Sequence, residues 1–257
     1  MRKATGLKVI SYLGTGVAKF VDLGLARELG ITVCNVPGYG DNAVAEHTLA
    51  LLLAVVRKVA LLDRQMHTGL WKEPSPAMEL RGKTIGLIGL GGIGARMAAI
   101  ARGVGMKVLV WTRKPSPERA AAHGVRFVEL DVLLRESDVV SLHLALTPET
   151  RQLLGTRQLD QMKPGAVIVN TARAELVDEA ALIERLGSGR IAGAGIDVFT
   201  AEPLPKNHLY AGIENVVLTP HVAYNTTDAA HALLDIAITN LTDFFTGKLS
   251  NAVTAGG

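Results

Sequence analysis

The sequence predicts an α/β fold in which a doubly wound, mostly parallel sheet is joined to a second, smaller domain. Three observations support this prediction. Short apolar runs of strand length alternate with helical stretches along most of the 257 residues. One of these runs, residues 85–88, leads directly into a glycine-rich turn. An alanine-rich helical stretch follows the turn, and strands separated by helices are typical of parallel sheets.

The glycine-rich turn has the pattern Gly89-x-Gly91-x-x-Gly94. Gly89 allows a tight turn, Gly91 lets the backbone approach a pyrophosphate because it lacks a Cβ, and Gly94 lets the helix lie close to the strand. The amides and the positive dipole end of that helix then face the phosphates. The motif predicts a dinucleotide site, and a glycine-rich turn without a ligand is the alternative interpretation.

The first elements predict a small α/β unit. A strand over residues 7–12 is followed by a loop at residues 14–16. A helix over residues 21–29 ends at Gly30, and the next strand covers residues 31–34. The order strand, helix, strand indicates that the α/β pattern begins at the first residues.

A long helix is predicted from Asp41, its N-cap, to about residue 67. Its middle is apolar on all sides, which predicts burial between two bodies. Glu46 and His47 lie in its first turns and point to different faces, so we interpret them as capping or packing groups rather than catalytic groups. Residues 71–80, with two prolines, form a connector to the glycine motif.

After the motif, strands and helices continue to alternate. Further strands are predicted over residues 107–111, 138–143, 167–171, 193–198 and 216–219. Helices are predicted over residues 129–135, 177–186 and 227–246. This order predicts the doubly wound sheet.

Composition limits the function classes. Lys and Arg total 27 against 24 Asp and Glu, so the net charge of +3 and the absence of a long basic run argue against a nucleic-acid partner. The most apolar stretch, residues 49–56, is too short to span a bilayer, and the N-terminus lacks the apolar segment of a signal peptide. Cys34 is the single cysteine, which favours a reducing compartment. We expect a cytoplasmic protein with no membrane partner.

Several further segments occur in a fixed order around Arg173, Glu202 and His221. They are Pro37-Gly-Tyr-Gly-Asp-Asn-Ala-Val-Ala-Glu-His-Thr48, Ser141-Leu-His-Leu-Ala-Leu-Thr-Pro-Glu-Thr150, Val169-Asn-Thr-Ala-Arg-Ala-Glu-Leu-Val-Asp178, Gly195-Ile-Asp-Val-Phe-Thr-Ala-Glu-Pro203 and Leu218-Thr-Pro-His-Val-Ala223. With these segments and the glycine motif, the chain resembles the D-isomer-specific 2-hydroxyacid dehydrogenases from residue 7 onward.

The resemblance implies a hydride transfer between a nicotinamide cofactor and the C2 atom of the substrate, with a proton moving to or from the substrate oxygen. His221 would be the acid/base, because imidazole exchanges protons near neutral pH. Glu202 would stabilise its imidazolium form, and Arg173 would bind the substrate carboxylate and polarise the carbonyl. Considered one at a time, each residue is equally compatible with another role. Arg173 and Glu202 could form a surface ion pair, and His221 could be a packing group.

The resemblance also implies the binding residues. Those expected to contact the cofactor are Gly89, Gly91, Gly92, Ile93, Gly94, Thr112, Arg113, Lys114, His143, Thr147, Thr171, Ala172 and Asp197. The substrate carboxylate would also meet the backbone amides of Leu13, Gly14, Thr15 and Gly16. His143 would lie beside the cofactor without donating the proton, and Asp197 would lie on its nicotinamide side. No metal is implied.

The end of the strand over residues 107–111 bears on cofactor choice. An NAD enzyme places Asp or Glu there to bond the ribose hydroxyls, whereas this chain has Thr112, Arg113 and Lys114. A carboxylate would repel a 2′-phosphate, but a hydroxyl and two cations would bind it. We therefore predict that NADP(H) is preferred and NAD(H) possible; ordinary solvated loop cations are the alternative.

The chain departs from the family pattern at its start, where members normally carry further strands and helices of the substrate domain. Residues 1–41 and 225–257 are therefore predicted to form a truncated, flavodoxin-like substrate domain, and residues 42–224 a Rossmann cofactor domain. A partner chain would cover the exposed edge, or the chain is a fragment. The apolar helix over residues 42–67 is predicted to form the core of a homodimer.

We conclude that the sequence favours an NADP(H)-preferring reductase of small 2-keto acids, such as glyoxylate or hydroxypyruvate, that yields D-2-hydroxy acids. Two alternatives remain. One is a dinucleotide-sensing, corepressor-like binding protein built on the same fold, and the other is an inactive fragment of a dehydrogenase.

Overall fold

The computed structural model describes residues 1–73 and 76–253. The middle of the predicted connector, residues 74–75, and the end of the C-terminal tail, residues 254–257, lie outside the described residues. The chain divides into two compact units, Val44–Ala223 and Met1–Ala43 with Tyr224–Gly257.

The larger unit is built on a parallel sheet. Its described strands are β3 (Thr84–Ile88), β4 (Lys107–Trp111), β5 (Arg126–Phe127), β6 (Val139–Leu142), β7 (Ala166–Asn170), β8 (Ile191–Ile196) and β9 (Val216–Leu218). They lie in the order β5-β4-β3-β6-β7-β8-β9, and every adjacent pair is parallel. The predicted α/β fold with a doubly wound sheet is confirmed.

Helices cover both faces of this sheet because alternate strand residues point to opposite sides. The helices are α2 (Asp41–Val56), α3 (Val59–His67), α4 (Gly92–Gly103), α5 (Pro117–His123), α6 (Leu130–Glu136), α7 (Thr156–Gln161) and α8 (Glu179–Gly187). Apolar residues of α2 and α4 form one core with Ile85 and Leu87, whereas those of α6, α7 and α8 form a second core with Ile88 and Ile168. The two cores hold the sheet between them.

The strand order reverses between β3 and β6. From β3 the chain moves outward to β4 and β5, and it then returns to place β6 on the other side of β3. Beyond the carboxyl ends of such strands a crevice opens, and ligands of open α/β sheets bind there. The glycine-rich turn directly follows β3, so it lies at this reversal.

The smaller unit contains the parallel strands β1 (Val9–Ser11) and β2 (Thr32–Cys34), the helix α1 (Leu23–Glu28) and the C-terminal helix α9 (Thr227–Thr246). Polar contacts fix α9 to this pair of strands. The Ser11 hydroxyl donates to the Ala237 carbonyl at 3.0 Å, and the buried Asn240 amide donates to the Asn35 carbonyl at 2.9 Å.

The prediction of one long helix over residues 41–67 is wrong. The structure has α2 and α3 instead, with Lys58 between them in the left-handed conformation at φ 57° and ψ 26°. A left-handed residue cannot continue a right-handed helix, so α2 ends before it and α3 begins after it. Leu53 is also 38% exposed, so α2 is not buried on all sides in the single chain.

The short elements α5, β5 and α7 were not predicted. Each has seven residues or fewer, so each spans at most two turns or a few strand residues of periodicity. Within the described ranges, no helix combines the length and apolar character that crossing a membrane requires.

Candidate active site

The glycine-rich turn has the geometry of a dinucleotide cradle. Gly89 has φ +109°, and a Cβ there would lie 2.5 Å from the carbonyl oxygen of His143. A Cβ on Gly94 would overlap the carbonyl oxygen of Gly89. A Cβ on Gly91, by contrast, would meet nothing within 4 Å. The fold itself requires Gly89 and Gly94, whereas Gly91 borders open space.

Helix α4 begins at this opening. Its N-cap is Gly91, which has no side chain to satisfy the amides of the first turn at Gly92, Ile93 and Gly94. Unsatisfied first-turn amides, together with the positive end of the helix dipole, bind phosphate groups. The turn and the helix therefore fit the diphosphate of a dinucleotide.

The loop after β4 lies beside the turn and carries the predicted ribose residues. Thr112 is half-buried, and Arg113 and Lys114 are exposed. The Arg113 guanidinium lies 3.7 Å from a carboxylate oxygen of Glu149. Glu149 is therefore an acidic neighbour of this loop that the sequence pattern around residue 112 did not reveal.

The side chain of Arg119 connects this loop to the glycine turn. Its guanidinium donates to the carbonyl of Leu90 at 2.7 Å and to the carbonyl of Lys114 at 2.9 Å. Sequence analysis did not single out Arg119, because α5 was not predicted. Ser116 and Pro117, a capping hydroxyl followed by proline in the first turn, were the signals for that helix.

His143 lies next to the glycine turn, and its ring is partly buried. Its ring Nε2 is 3.0 Å from the hydroxyl of Ser141. Burial lowers the pKa of His143 to about 4, so the ring is neutral at physiological pH. In the same loop, Thr150 closes a tight turn by accepting from the amide of Thr147 at 2.7 Å.

A buried amide side chain shapes the loop that carries Arg173. Asn170, at the end of β7, donates to the Arg173 carbonyl at 2.8 Å and accepts from the Ala172 amide at 3.0 Å. The hydroxyls of Thr171 and Thr48 are 2.9 Å apart. Asn170 and Thr48 were not singled out in the sequence, although a polar residue ending a fully buried strand is a usable signal.

Arg173 itself is exposed, and its guanidinium donates to the carbonyl of Ala172. The carboxylate of Glu202 lies against His221.

Glu202 and His221 form a close acid–imidazole pair. The two carboxylate oxygens of Glu202 lie 3.0 and 2.9 Å from His221 Nδ1. The amide of Phe199 donates to Glu202 Oε1 at 3.0 Å and so orients the carboxylate. With Nδ1–H directed at the carboxylate, the neutral ring carries no proton on Nε2.

His221 has the left-handed backbone conformation, with φ +55°, and the buried carboxylate of Asp197 supports this strained segment. The amides of Val222 and Ala223 each donate to Asp197 at 3.0 Å, and the hydroxyl of Thr219 donates to it as well. Both carboxylate oxygens of Asp197 are thus hydrogen-bonded to the segment around His221.

His47 extends this network from α2. Its Nε2 lies 2.9 Å from the Thr219 hydroxyl and 3.7 Å from Asp197 Oδ1. The half-buried ring joins the helix to the segment that carries His221.

A cavity of about 530 Å³ lies beside the acid–imidazole pair. Glu202 and His221 line one part of it, and the remaining lining is mostly apolar. Those residues are Phe199, Pro203, Leu204, Leu218, Thr219 and Pro220. The cavity has the size of a small-molecule site with few polar groups.

The predicted carboxylate-binding loop belongs to the smaller unit. The amide of Gly14 donates to the Tyr12 carbonyl at 2.9 Å, whereas in the described part of the chain the amides of Leu13, Thr15 and Gly16 donate to no other residue. Leu13 is 55% exposed.

Comparison with known proteins gives consistent matches. The sequence profile of the D-isomer specific 2-hydroxyacid dehydrogenase, NAD binding domain, matches residues 49–223. The glyoxylate reductase of Thermococcus litoralis is 38% identical over 257 residues, which cover 97% of this chain and 77% of that protein. The hydroxypyruvate reductase of Blautia hydrogenotrophica is 36% identical over 258 residues, which cover 98% and 80%.

Among solved structures, the TT0316 protein from Thermus thermophilus superimposes with a TM-score of 0.90. It is 43% identical in sequence, and the match covers 98% of this chain and 81% of that one.

Proposed function

The chain belongs to the D-isomer-specific 2-hydroxyacid dehydrogenases, and we propose that it reduces a small 2-keto acid to the D-2-hydroxy acid with NADPH. The observation that carries the proposal is the Glu202–His221 pair, whose carboxylate oxygens lie 2.9 and 3.0 Å from the imidazole nitrogen. Glyoxylate and hydroxypyruvate are the proposed substrates. The names of the two relatives described above support this substrate class.

We assign the proton transfer to His221 Nε2. In the direction of reduction, the protonated ring donates to the substrate oxygen while C2 accepts a hydride, and the ring ends neutral. Glu202 accepts from Nδ1, which keeps the ring oriented and stabilises its charged form before transfer. When bound, the dihydronicotinamide supplies the hydride.

We assign substrate binding to Arg173 and to the loop of the smaller unit. The exposed guanidinium of Arg173 has a planar set of donors that suits a carboxylate, and its loop is held by Asn170. The amides of Leu13, Thr15 and Gly16 offer further donors, and Gly14 provides the turn between them. The smaller unit is accordingly proposed as the substrate domain.

We assign the cofactor to the larger unit. The diphosphate binds at Gly91 and the first turn of α4, and Thr112, Arg113 and Lys114 bind a 2′-phosphate. His143, Thr147, Thr171, Ala172 and Asp197 are proposed to border the remaining cofactor. The absence of a carboxylate at residue 112 favours NADP(H) over NAD(H), which remains usable.

The proposed assembly is a homodimer. The exposed apolar residues Val59 and Met66 of α3 support self-association.

The proposed location is the cytoplasm. Cys34 is buried in β2, where burial raises the pKa of its thiol, and the chain has no second cysteine with which it could form a disulfide. A chain without a disulfide suits a reducing compartment.

The test is oxidation of NADPH, and separately of NADH, with glyoxylate and hydroxypyruvate. We expect turnover with both keto acids and a higher kcat/KM for NADPH. The His221→Ala variant should lose turnover and retain NADPH binding measured by fluorescence. Equal kcat/KM for the two cofactors would overturn the NADP preference. NADPH binding without any turnover would favour the dinucleotide-sensing protein or the inactive fragment.

A further inference from the structure

We propose that Arg119 is a positioning residue for NADPH, which fixes the loop that binds the 2′-phosphate against the turn that binds the diphosphate. This inference rests on the proposed cofactor site. It assigns a role to a side chain that lies outside every motif identified in the sequence.

One guanidinium makes both contacts. Its two terminal nitrogens donate to backbone carbonyls of different loops, Leu90 at 2.7 Å and Lys114 at 2.9 Å. Leu90 lies between Gly89 and Gly91, and Lys114 directly follows Arg113. Because a guanidinium is planar with its donors in a fixed fork, the two carbonyls are held at a set separation.

The side chain is fixed from its other end too. Ser116 accepts from the Arg119 amide at 3.1 Å and caps α5, so the backbone from which the side chain extends is fixed. The guanidinium also lies over the ring of Phe127, 6.0 Å from its centroid. Arg119 is half-buried, and its hydrogen bond to Leu90 is partly shielded from water, whereas the hydrogen bond to Lys114 is exposed.

The two loops hold different parts of the same ligand. The diphosphate lies at the turn through Leu90, and only NADP(H) carries the second phosphate that the loop of Arg113 and Lys114 binds. If the loop of Arg113 and Lys114 moves, NADPH loses the contacts of its second phosphate. NADH has no second phosphate and therefore loses fewer contacts. Arg119 thereby contributes to discrimination between the cofactors without touching the second phosphate.

The Arg113–Glu149 pair makes this support more important. Glu149 lies 3.7 Å from Arg113 and competes with a phosphate for its guanidinium. A loop held by Arg119 keeps Arg113 and Lys114 close to the ligand while that carboxylate competes.

The test compares Arg119→Ala and Arg119→Lys with the wild type by fluorescence titration of NADPH and NADH and by steady-state kinetics. Lysine keeps the charge but lacks the planar fork that bridges two carbonyls. Arg126→Ala is the matched control, since Arg126 is a neighbouring arginine paired with Glu136 and joins neither loop. Thermal unfolding without cofactor verifies that each variant is folded.

We expect both Arg119 variants to raise the Kd and KM for NADPH about tenfold, the cost of one to two hydrogen bonds. The effect on NADH should be smaller, and kcat at saturating NADPH should be nearly unchanged. Full recovery by lysine would show a role of charge alone and overturn the positioning role. Equal losses with both cofactors, unchanged affinity, or the same loss in Arg126→Ala would also overturn it.

Failure of this inference is distinguishable from failure of the proposed function. If the wild type neither binds NADPH nor turns over, the cofactor assignment itself fails. If the wild type does both and Arg119→Ala matches it, only the role of Arg119 is removed.

Discussion

Asp197 controls the position of His221 through backbone hydrogen bonds. The residues that follow His221 direct two consecutive amides at one buried carboxylate, and His221 itself has a positive φ. A positive φ costs free energy for a residue with a Cβ, so a compensating contact must hold it. Asp197 supplies that contact whether or not it also lies near the cofactor.

This role gives the first prediction. Asp197→Asn should lower the free energy of unfolding of the cofactor-free protein by about 2–4 kcal/mol, since the new amide group faces backbone donors and leaves them unsatisfied. Denaturant unfolding measures the change. Thr219→Val, which removes one contact to the same carboxylate, should cost less. Unchanged stability combined with lost NADPH binding would instead show that Asp197 acts mainly on the cofactor.

The second prediction concerns Glu202→Gln. The amide retains the shape of the carboxylate but not its charge, so the imidazolium form of His221 is less stabilised. We expect kcat for reduction to fall about tenfold to a hundredfold. Steady-state kinetics measure the effect. An unchanged kcat would show that Glu202 only orients the ring.

The third prediction concerns His143 and pH. Its pKa is lowered from 6.5 to about 4 in the folded protein, so the unfolded chain binds more protons between these values. The free energy of unfolding is therefore not reduced by His143 above pH 6.5, and it falls as the pH decreases from 6.5 towards 4. The loss by pH 4.5 is about 2–3 kcal/mol. Unfolding at a series of pH values should show a flatter dependence for His143→Gln, and identical slopes would contradict the assignment.

At the scale of the element, the turn from β3 into α4 contains one glycine that folding requires, Gly94, and one that the proposed ligand binding requires, Gly91. Gly94→Ala should destabilise the protein by about 2 kcal/mol, because its Cβ would overlap the Gly89 carbonyl. Gly91→Ala should leave thermal unfolding unchanged, since its Cβ meets nothing within 4 Å, yet weaken NADPH binding roughly tenfold or more. Thermal unfolding and fluorescence titration with NADPH test the two variants. Equal losses of stability in both would contradict the separate roles of Gly94 and Gly91.

The sequence predicted the sheet well because its strands are continuous apolar runs between clear turn signals. β4 and α9 have the predicted bounds, residues 107–111 and 227–246. The break at Lys58 was not predictable, because no glycine or proline marks it and the apolar pattern continues through it. The left-handed conformation of Lys58 depends on the tertiary structure.

The site was predicted unevenly for a related reason. Glu202 and His221 were identifiable because they lie in motifs, and their contact follows from the parallel arrangement of β8 and β9. Arg119 and Asp197 act through backbone carbonyls and amides, and such contacts leave no pattern of residue types. Tertiary structure is needed to identify these contacts, although Asp197 itself lies in a motif.

At the scale of the whole molecule, the fifth prediction concerns assembly. Val59 and Met66 are 55% and 54% exposed on α3, so we expect a dimer by sedimentation at micromolar concentration. The double variant Val59→Asp with Met66→Glu should sediment as a monomer. Phe245→Glu, a similar change on the exposed side of α9, should leave the dimer intact. A monomeric wild type would contradict the prediction.

The strand lengths of the large sheet affect its tendency to aggregate. Its two edge strands, β5 and β9, have two and three residues, whereas the strands between them have four to six. An edge this short presents few unpaired backbone groups on which a second chain can add a strand. At high concentration, the sheet of the folded protein should therefore resist growth into fibrils through its borders.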